Sequence, residues 1–379
     1  MITVSLTGAA AMFVAGGGRD IDLARVPGLP ALEAGAHLQL LGASGEEVGI
    51  AIADVENGKL RVMALPSDGF TAITGALLAV CVERALAWRK RLGLPGRDHA
   101  YRLIHGAGDG LPGFACDVMG RVAVVYAYGE GLRAVGKQLA ETIVGFAQLD
   151  GAVVKRRAKG GSEDVPQDVI GSVAERSIVS EHGVQYEVHP LAGLNVGLFT
   201  DMREQRLGLA RFASGQRVLN LFSYTGALGL ACARAGAASV TNVDTSQGVL
   251  AWAKGNFDRS KLPAKYEAGD ARRFLQRAAR DKERYDLVIV DPPSAGVGWA
   301  TGRDYPELVA LASAVIPDGG LLWLASNTVE LGPLAKLAGK GLRGRTATIV
   351  EQAGLPPEYP TVVAQPQDRY LQICVLRLG

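Results

Sequence analysis

The chain has 379 residues, 48% of them hydrophobic and 21% charged, with a formal net charge of +2 at pH 7. That length favours two or three domains with real cores, the composition is that of an ordinary globular protein, and so small a charge makes no case by itself for nucleic acid. Cys81, Cys116, Cys232 and Cys374 lack the paired spacing of a zinc site or a disulfide framework, no apolar stretch reaches membrane-spanning length, and no basic leader opens the chain, so a cytoplasmic protein without a metal is expected.

Residues 1 to 70 contain short apolar runs at 36–41, 48–54 and 60–65, punctuated by glycine, which predict the strands of a small β-barrel or sandwich. A helix is predicted over 71–92, where Leu77, Leu78, Cys81, Leu86 and Trp88 make a mixed apolar face. Its basic end, Trp88-Arg-Lys-Arg91, suits the negative pole of the helix dipole. Residues 101–125 read as a hairpin with turns at Gly108-Asp-Gly110 and Leu111-Pro-Gly113, followed by a helix over 132–146 and a strand over 151–154. These form a small α+β middle domain, 71–180. The run Lys155-Arg-Arg-Ala-Lys159 makes Lys155, Arg156 and Arg157 candidate phosphate contacts, with a solvated loop as the equal alternative.

Residues 181–379 carry the stretch around which the chain is organised. Arg217-Val-Leu-Asn-Leu opens it as an apolar run without alternation, which suits a strand buried on both faces of a parallel sheet. The run breaks at 223–226 and resumes as a helix, so a ligand at the loop meets unpaired helix N–H groups. Asp244 closes the next apolar strand, about 20 residues past the glycine turn, where a carboxylate can accept both hydroxyls of a ribose. Asp270 ends a third strand and Asp291 a fourth, while 319–325 reads as a fifth. Acids at successive strand ends mark the ligand crevice of an open α/β sheet. The final stretch, 368–377, reads as an antiparallel edge strand and as scaffold.

This order, with Asp-Pro-Pro closing the fourth strand, resembles a class I S-adenosylmethionine-dependent methyltransferase. Leu219-Asn-Leu-Phe-Ser-Tyr-Thr-Gly226, Val243-Asp-Thr-Ser246, Gly197-Leu-Phe-Thr-Asp-Met-Arg203 and Asp291-Pro-Pro293 are similar to motifs of the bacterial large-subunit rRNA methyltransferases of the RlmI and RlmK type. Tyr101-Arg-Leu-Ile-His-Gly-Ala-Gly-Asp-Gly-Leu-Pro-Gly113 resembles the middle domain of the RlmI group. The resemblance implies an α/β fold with a Rossmann-like class I methyltransferase sheet over 181–379, the α+β middle domain, and a degenerate PUA-like β-barrel over 1–70. Whether that barrel binds RNA or is purely structural stays open. The implied cofactor is S-adenosyl-L-methionine. Phe199, Asp201 and Arg203 would hold its methionine end, although a capped helix start with Arg203, Glu204 and Arg206 facing solvent is compatible with the same residues. The loop residues Asn220, Phe222, Ser223, Tyr224, Thr225 and Gly226 would bind the cofactor too, as would Asp244, Thr245, Ser246, Asp270 and Asp291. The implied partner is large-subunit rRNA or a pre-ribosomal particle, with no membrane, and a homodimer is left open.

Methylating cytosine C5 requires a cysteine thiolate that attacks the ring. RlmI-type proteins carry it after the fifth strand, where this chain has Ser326-Asn327-Thr328, and no cysteine follows Asp291-Pro-Pro293. The Ser-Asn pair is similar instead to the RlmK type, which methylates guanine N7. A guanine nitrogen needs positioning rather than a covalent partner, so Asp291, Pro292 and Asn327 are the candidate catalytic residues, with a loop residue that caps or turns the chain after the fifth strand as the alternative for Asn327. Tyr305 is a candidate to stack on a base, with a packing role at a helix start as the equal alternative. Gly298, Trp299 and Gly302 read as a substrate lid. The expected function is methylation of a base in 23S rRNA, guanine at N7 or an exocyclic nitrogen. Cytosine-C5 methylation, a small-molecule methyltransferase and a non-catalytic RNA-binding or assembly factor are the alternatives.

Overall fold

A computed structural model describes residues 1–96, 99–157, 167–193, 195–296, 299–328, 330, 332–342 and 344–379. Lys159 and the lid residue Gly298 lie outside the described residues. The chain divides into two compact units. The first comprises Met1–Val179, Val188–Val196 and Pro357–Asp368; the second comprises Ser180–Glu187, Gly197–Pro356 and Arg369–Gly379.

The apolar runs of the N-terminus do form strands. β1 (Ile2–Ser5), β2 (Asp20–Asp22), β3 (His37–Leu41), β4 (Glu47–Asp54) and β5 (Lys59–Ala64) make one sheet in the order β1-β3-β4-β5-β2, with helix α1 (Gly8–Ala15) between the first two strands of the sequence. Val4, Val14, Leu38, Leu40, Leu60 and Val62 converge in one apolar cluster beneath it. No ladder joins β1 to β2 among the described residues, so the strands pair as an open sheet where a barrel was expected.

Helix α2 (Gly75–Arg91) starts where Thr74 accepts a hydrogen bond from the Leu77 N–H, the usual device for one of the orphan donors of a helix start. At its basic end Arg89 is fully buried, donates to both carboxylate oxygens of Asp109, and also bonds the carbonyls of Arg102 and Glu358. The second sheet runs β10-β9-β8-β7-β6, from β6 (Ala100–His105), β7 (Phe114–Met119), β8 (Val122–Ala127), β9 (Gly151–Arg156) and β10 (Gln167–Gly171). β8 and β9 are parallel, and helix α3 (Arg133–Ala147) supplies the crossover that parallel pairing requires. Ile50, Ile52 and Met63 join α2, α3 and this sheet in a single core, so residues on both sides of position 70 share one apolar interior.

A hairpin of β11 (Ser177–Glu181) and β12 (Val184–Val188) leads from one unit into the other. The second unit then alternates helices and strands: α4 (Arg203–Ala210), β13 (Arg217–Leu221), α5 (Ala227–Arg234), β14 (Ser239–Asp244), α6 (Gln247–Ser260), β15 (Lys265–Ala268), α7 (Ala271–Arg280) and β16 (Leu287–Val290). The two-residue strands β17 (Ala295–Gly296) and β18 (Trp299–Ala300) pair next, followed by α8 (Thr301–Ser313), β19 (Leu321–Ser326), α9 (Leu334–Gly339), β20 (Ala347–Gly354) and β21 (Gln372–Leu378). The sheet order is β15-β14-β13-β16-β19-β21-β20. Five strands are parallel, and β21 and β20 are antiparallel additions. The last strand therefore lies inside the sheet, and β20 takes the edge expected for it.

From β13 the chain works outward through β14 and β15, then returns to lay β16 on the other side of β13. That reversal opens a crevice at the carboxyl ends of β13 and β16, where open α/β sheets bind ligands. Among the described residues no helix is long and apolar enough to cross a membrane.

Candidate cofactor and catalytic site

The loop between β13 and α5 holds an unusual backbone. Phe222 and Tyr224 adopt φ values of 56° and 46°, and Gly226, which precedes α5, adopts 77°. Left-handed conformations at two bulky residues persist only where the surroundings over-determine them. Here the determinants are visible. Asp244, at the end of β14, accepts the Tyr224 N–H at 2.9 Å on one carboxylate oxygen and the Ser246 N–H at 3.0 Å on the other. Thr225 donates its hydroxyl to the Gly197 carbonyl at 2.6 Å, and its own carbonyl accepts from the Asn256 amide at 3.0 Å. Thr245 and Ser246 are exposed beyond Asp244. Ser246 caps α6 through the Val249 N–H and Asp270 caps α7 through the Arg273 N–H.

The segment 197–206 approaches the same loop. Phe199 is 44% exposed, with its ring centroid 5.2 Å from that of Tyr224. Asp201 accepts from the Tyr370 hydroxyl at 2.9 Å, and Arg203 pairs with Glu204 at 2.7 Å. Arg206, expected to face solvent, is buried. Its guanidinium holds both oxygens of Glu181 at 2.6 Å and also donates to the Phe199 carbonyl at 2.8 Å. Sequence reading missed Arg206 and Tyr370 because both act through partners far along the chain.

Asp291 and Asn327 follow neighbouring parallel strands, whose register places Val290 opposite Leu324. Burial, and then the charge of Asp201, push the Asp291 carboxyl up to about 7 against the opposing pull of Arg206. Pro292 is buried beside it, while Asn327 is exposed and its amide has no hydrogen-bond partner among the described residues. All four cysteines are buried. Burial pushes the Cys81 and Cys374 thiols up to about 11, and those of Cys116 and Cys232 higher still.

Four expected ligand contacts are corrected by their surroundings. Asn220 is fully buried and donates to Asn242 at 2.9 Å, beneath Gly229 of α5. It joins β13 to β14 beneath that helix and does not line the crevice. Tyr305 is also fully buried within α8 and donates to the Ala325 carbonyl at 2.8 Å, so its ring has no free face for a base. Lys155 is buried with its ammonium on the carbonyls of Ala192 and Gly193, and burial pushes it down to about 8. Arg156 is held between Glu56 at 2.9 Å and Glu130 at 3.2 Å. Of the three described cations in that run, Arg157 alone is exposed, with its guanidinium 6.0 Å from the Tyr128 ring.

The crevice fits a nucleoside-bearing cofactor on an independent observation. The Ser223 hydroxyl is buried with no hydrogen-bond partner among the described residues, although buried polar groups are nearly always satisfied. A bound polar ligand at the loop would supply that partner.

A sequence profile of the S-adenosylmethionine-dependent methyltransferase family matches residues 128–371. The ribosomal RNA large subunit methyltransferase I of Klebsiella pneumoniae is 27% identical over 332 residues, 83% of each chain. The putative ribosomal RNA large subunit methyltransferase YwbD of Bacillus subtilis is 31% identical over 299 residues, 73% of this chain and 74% of its own. A putative methyltransferase whose crystal structure is complexed with SAH has a TM-score of 0.90 over the whole of both chains at 24% identity, a likeness of fold. The chain belongs to the S-adenosylmethionine-dependent methyltransferase family, and S-adenosyl-L-methionine is its cofactor.

Proposed function

We propose that the protein methylates a nitrogen of guanine in large-subunit rRNA. The observation that carries this reading is that Asp291 and Asn327 follow the ends of adjacent parallel strands, in a chain whose four thiols are all buried and held protonated. The relatives named as large-subunit rRNA methyltransferases support the RNA substrate.

When bound, the cofactor supplies a methyl group on a sulfonium, which an aligned lone pair can displace directly. The protein's task is then alignment and exclusion of water. Asp201 and Arg203 bind the methionine end, Asp244 accepts from the ribose hydroxyls with the lone pairs its loop contacts leave free, and Ser223 supplies a further polar contact. Thr245, Ser246 and Asp270 border the nucleoside, and Phe199 offers it an apolar face. Asn327 presents donor and acceptor to a base edge. An exocyclic amine would give its N–H to the Asp291 carboxylate, which would hold the proton at Oδ after transfer. A ring N7 carries an in-plane lone pair and has no proton to lose, so there Asp291 only orients the base.

The division into modules at 1–70, 71–180 and 181–379 is part of the same proposal, with the N-terminal sheet as a PUA-like RNA-contacting element and Arg157 as a phosphate contact. The test is methyl transfer from labelled S-adenosylmethionine to rRNA from a strain lacking the protein, followed by separation of the nucleosides by mass. Label in 7-methylguanosine or N2-methylguanosine is expected. Label in 5-methylcytidine overturns the guanine reading, and no label on naked RNA or on pre-ribosomal particles overturns the rRNA reading.

A further inference from the structure

Building on the rRNA reading, we propose that the arginine face of α7 docks the phosphate backbone of the RNA substrate, outside the crevice itself. Residues 271–284 hold Arg272, Arg273, Arg277, Arg280, Lys282 and Arg284 against Asp281 and Glu283, a surplus of four positive charges. The whole chain has a surplus of only two, so the rest of it is net negative. Charge complementarity to a polyanion is therefore concentrated in this one segment.

Helix geometry sorts these residues. Ala271, Phe274, Leu275 and Ala278 face the apolar core of the second unit, while Arg273, Gln276, Arg277 and Arg280 recur at the spacing of the opposite face and are exposed. The helix dipole accounts for only part of this charge. Arg277 and Arg280 suit its negative end, but Arg272 and Arg273 stand in the first turn, where acids are favoured and none of the helical residues is one. Arg272 is answered by Asp304 at 3.1 Å and Glu307 at 3.6 Å. The Arg273 side chain is exposed at the unfavourable pole, where an approaching anion relieves the repulsion. Arg277 pairs with Glu267 at 3.3 Å and Arg280 with Asp281 at 2.9 Å, both exposed pairs of little strength that a phosphate can displace. The stripe is also well placed. Asp270, just past the carboxyl end of β15, caps α7 by accepting the Arg273 N–H at 3.0 Å, so the stripe begins at the sheet edge where the crevice opens. From Arg273 to Arg280 it rises about 10 Å along the helix. An RNA whose target base enters the crevice would lay flanking phosphates along it, which positions the strand without reading its sequence.

The test is the salt dependence of binding between the full-length protein and 23S rRNA from a strain lacking it, with Arg273→Gln, Arg277→Gln and Arg280→Gln combined in one variant. Affinity should fall about tenfold, and the slope of log K against log salt by about two, the size expected for three lost contacts to single-stranded phosphates. The KM for rRNA should rise by a similar factor, with S-adenosylhomocysteine binding and the melting temperature unchanged. A control variant loses the same charge elsewhere through Arg84→Gln, Arg211→Gln and Lys254→Gln, each an exposed cation paired with an acid, and should bind rRNA nearly as the unaltered protein does. Undiminished affinity in the α7 variant, or an equal loss in the control, overturns the docking surface and leaves the rRNA reading standing. Lost binding to phosphatidylglycerol vesicles with rRNA affinity intact assigns the stripe to a lipid surface and overturns the proposal as well. If the unaltered protein binds neither rRNA nor pre-ribosomal particles, the rRNA reading itself is overturned.

Discussion

Asp291 occupies a place that disfavours its own charge. Burial and Asp201 together raise its carboxyl from the ordinary 3.8 to about 7. If the carboxylate accepts an N–H from the base, kcat/KM should climb as pH rises through about 7, and the profile of Asp291→Asn should lose that inflection. Stability runs the other way. A group with a raised folded-state pKa favours the fold at low pH, and that contribution is lost as pH rises through about 7. Asp291→Asn should therefore melt a few degrees above the wild type at pH 8, with the gap fading as pH falls toward 4. Thiol alkylation at neutral pH should leave turnover untouched, because none of the four buried cysteines offers a thiolate. Residues of this kind differ in how readable they are. Asp244 and Asp291 announce themselves by their place at strand ends. Lys155 and Tyr305 mislead because a cation or an aromatic ring in sequence carries no record of its burial, and Arg206 and Tyr370 stay hidden because their partners, Glu181 and Asp201, are not neighbours in sequence.

At the scale of elements, the contact between α5 and the sheet is unusually close. A Cβ at Gly229 would stand 2.5 Å from the Asn242 Oδ1 and 3.1 Å from the Asn220 Nδ2. The asparagines form a buried polar pair between β13 and β14, so Gly229→Ala must displace them and break their mutual bond. A loss of about 1–3 kcal/mol is expected, read as a lower denaturation midpoint at unchanged m-value. The parallel strands were legible because burial on both faces leaves an unbroken apolar run, as in Leu287–Val290. The order of β21 and β20 was not, since strand order depends on pairing rather than on composition. The N-terminal strands were legible from short alternating runs punctuated by glycine, as in His37–Leu41, and their failure to close was not, because closure is a property of the two outer strands, β1 and β2.

For the whole molecule, a net charge of +2 gives little long-range attraction to RNA. The proposed binding to rRNA would rest on local cations, and the structure separates the exposed Arg157 from Lys155 and Arg156, which are already engaged. Arg157→Ala should weaken rRNA binding modestly and lower the salt dependence by about one counterion, with no change in melting temperature. Lys155→Met should do the opposite. It strips the carbonyls of Ala192 and Gly193 of their donor, lowering the melting temperature by several degrees while the folded protein binds RNA as before.

One feature of the chain's path also bears on how the protein is made. Residues Pro357–Asp368 belong to the first unit although 160 residues of the second, Gly197–Pro356, precede them. They are built in closely: Trp88 donates to the Pro357 carbonyl, Arg89 to that of Glu358, and Tyr359 is fully buried beside His105 and Arg102. A ribosome working from the N-terminus must pass residue 368, and so synthesise Gly197–Pro356 of the second unit, before the first unit has all its parts. Until then the guanidinium of Arg89 lacks the Glu358 carbonyl and the place that Tyr359 fills beside His105 and Arg102 is empty, so the first unit stays partly assembled. Dissection of the gene at the hairpin of β11 and β12 would leave that state permanent.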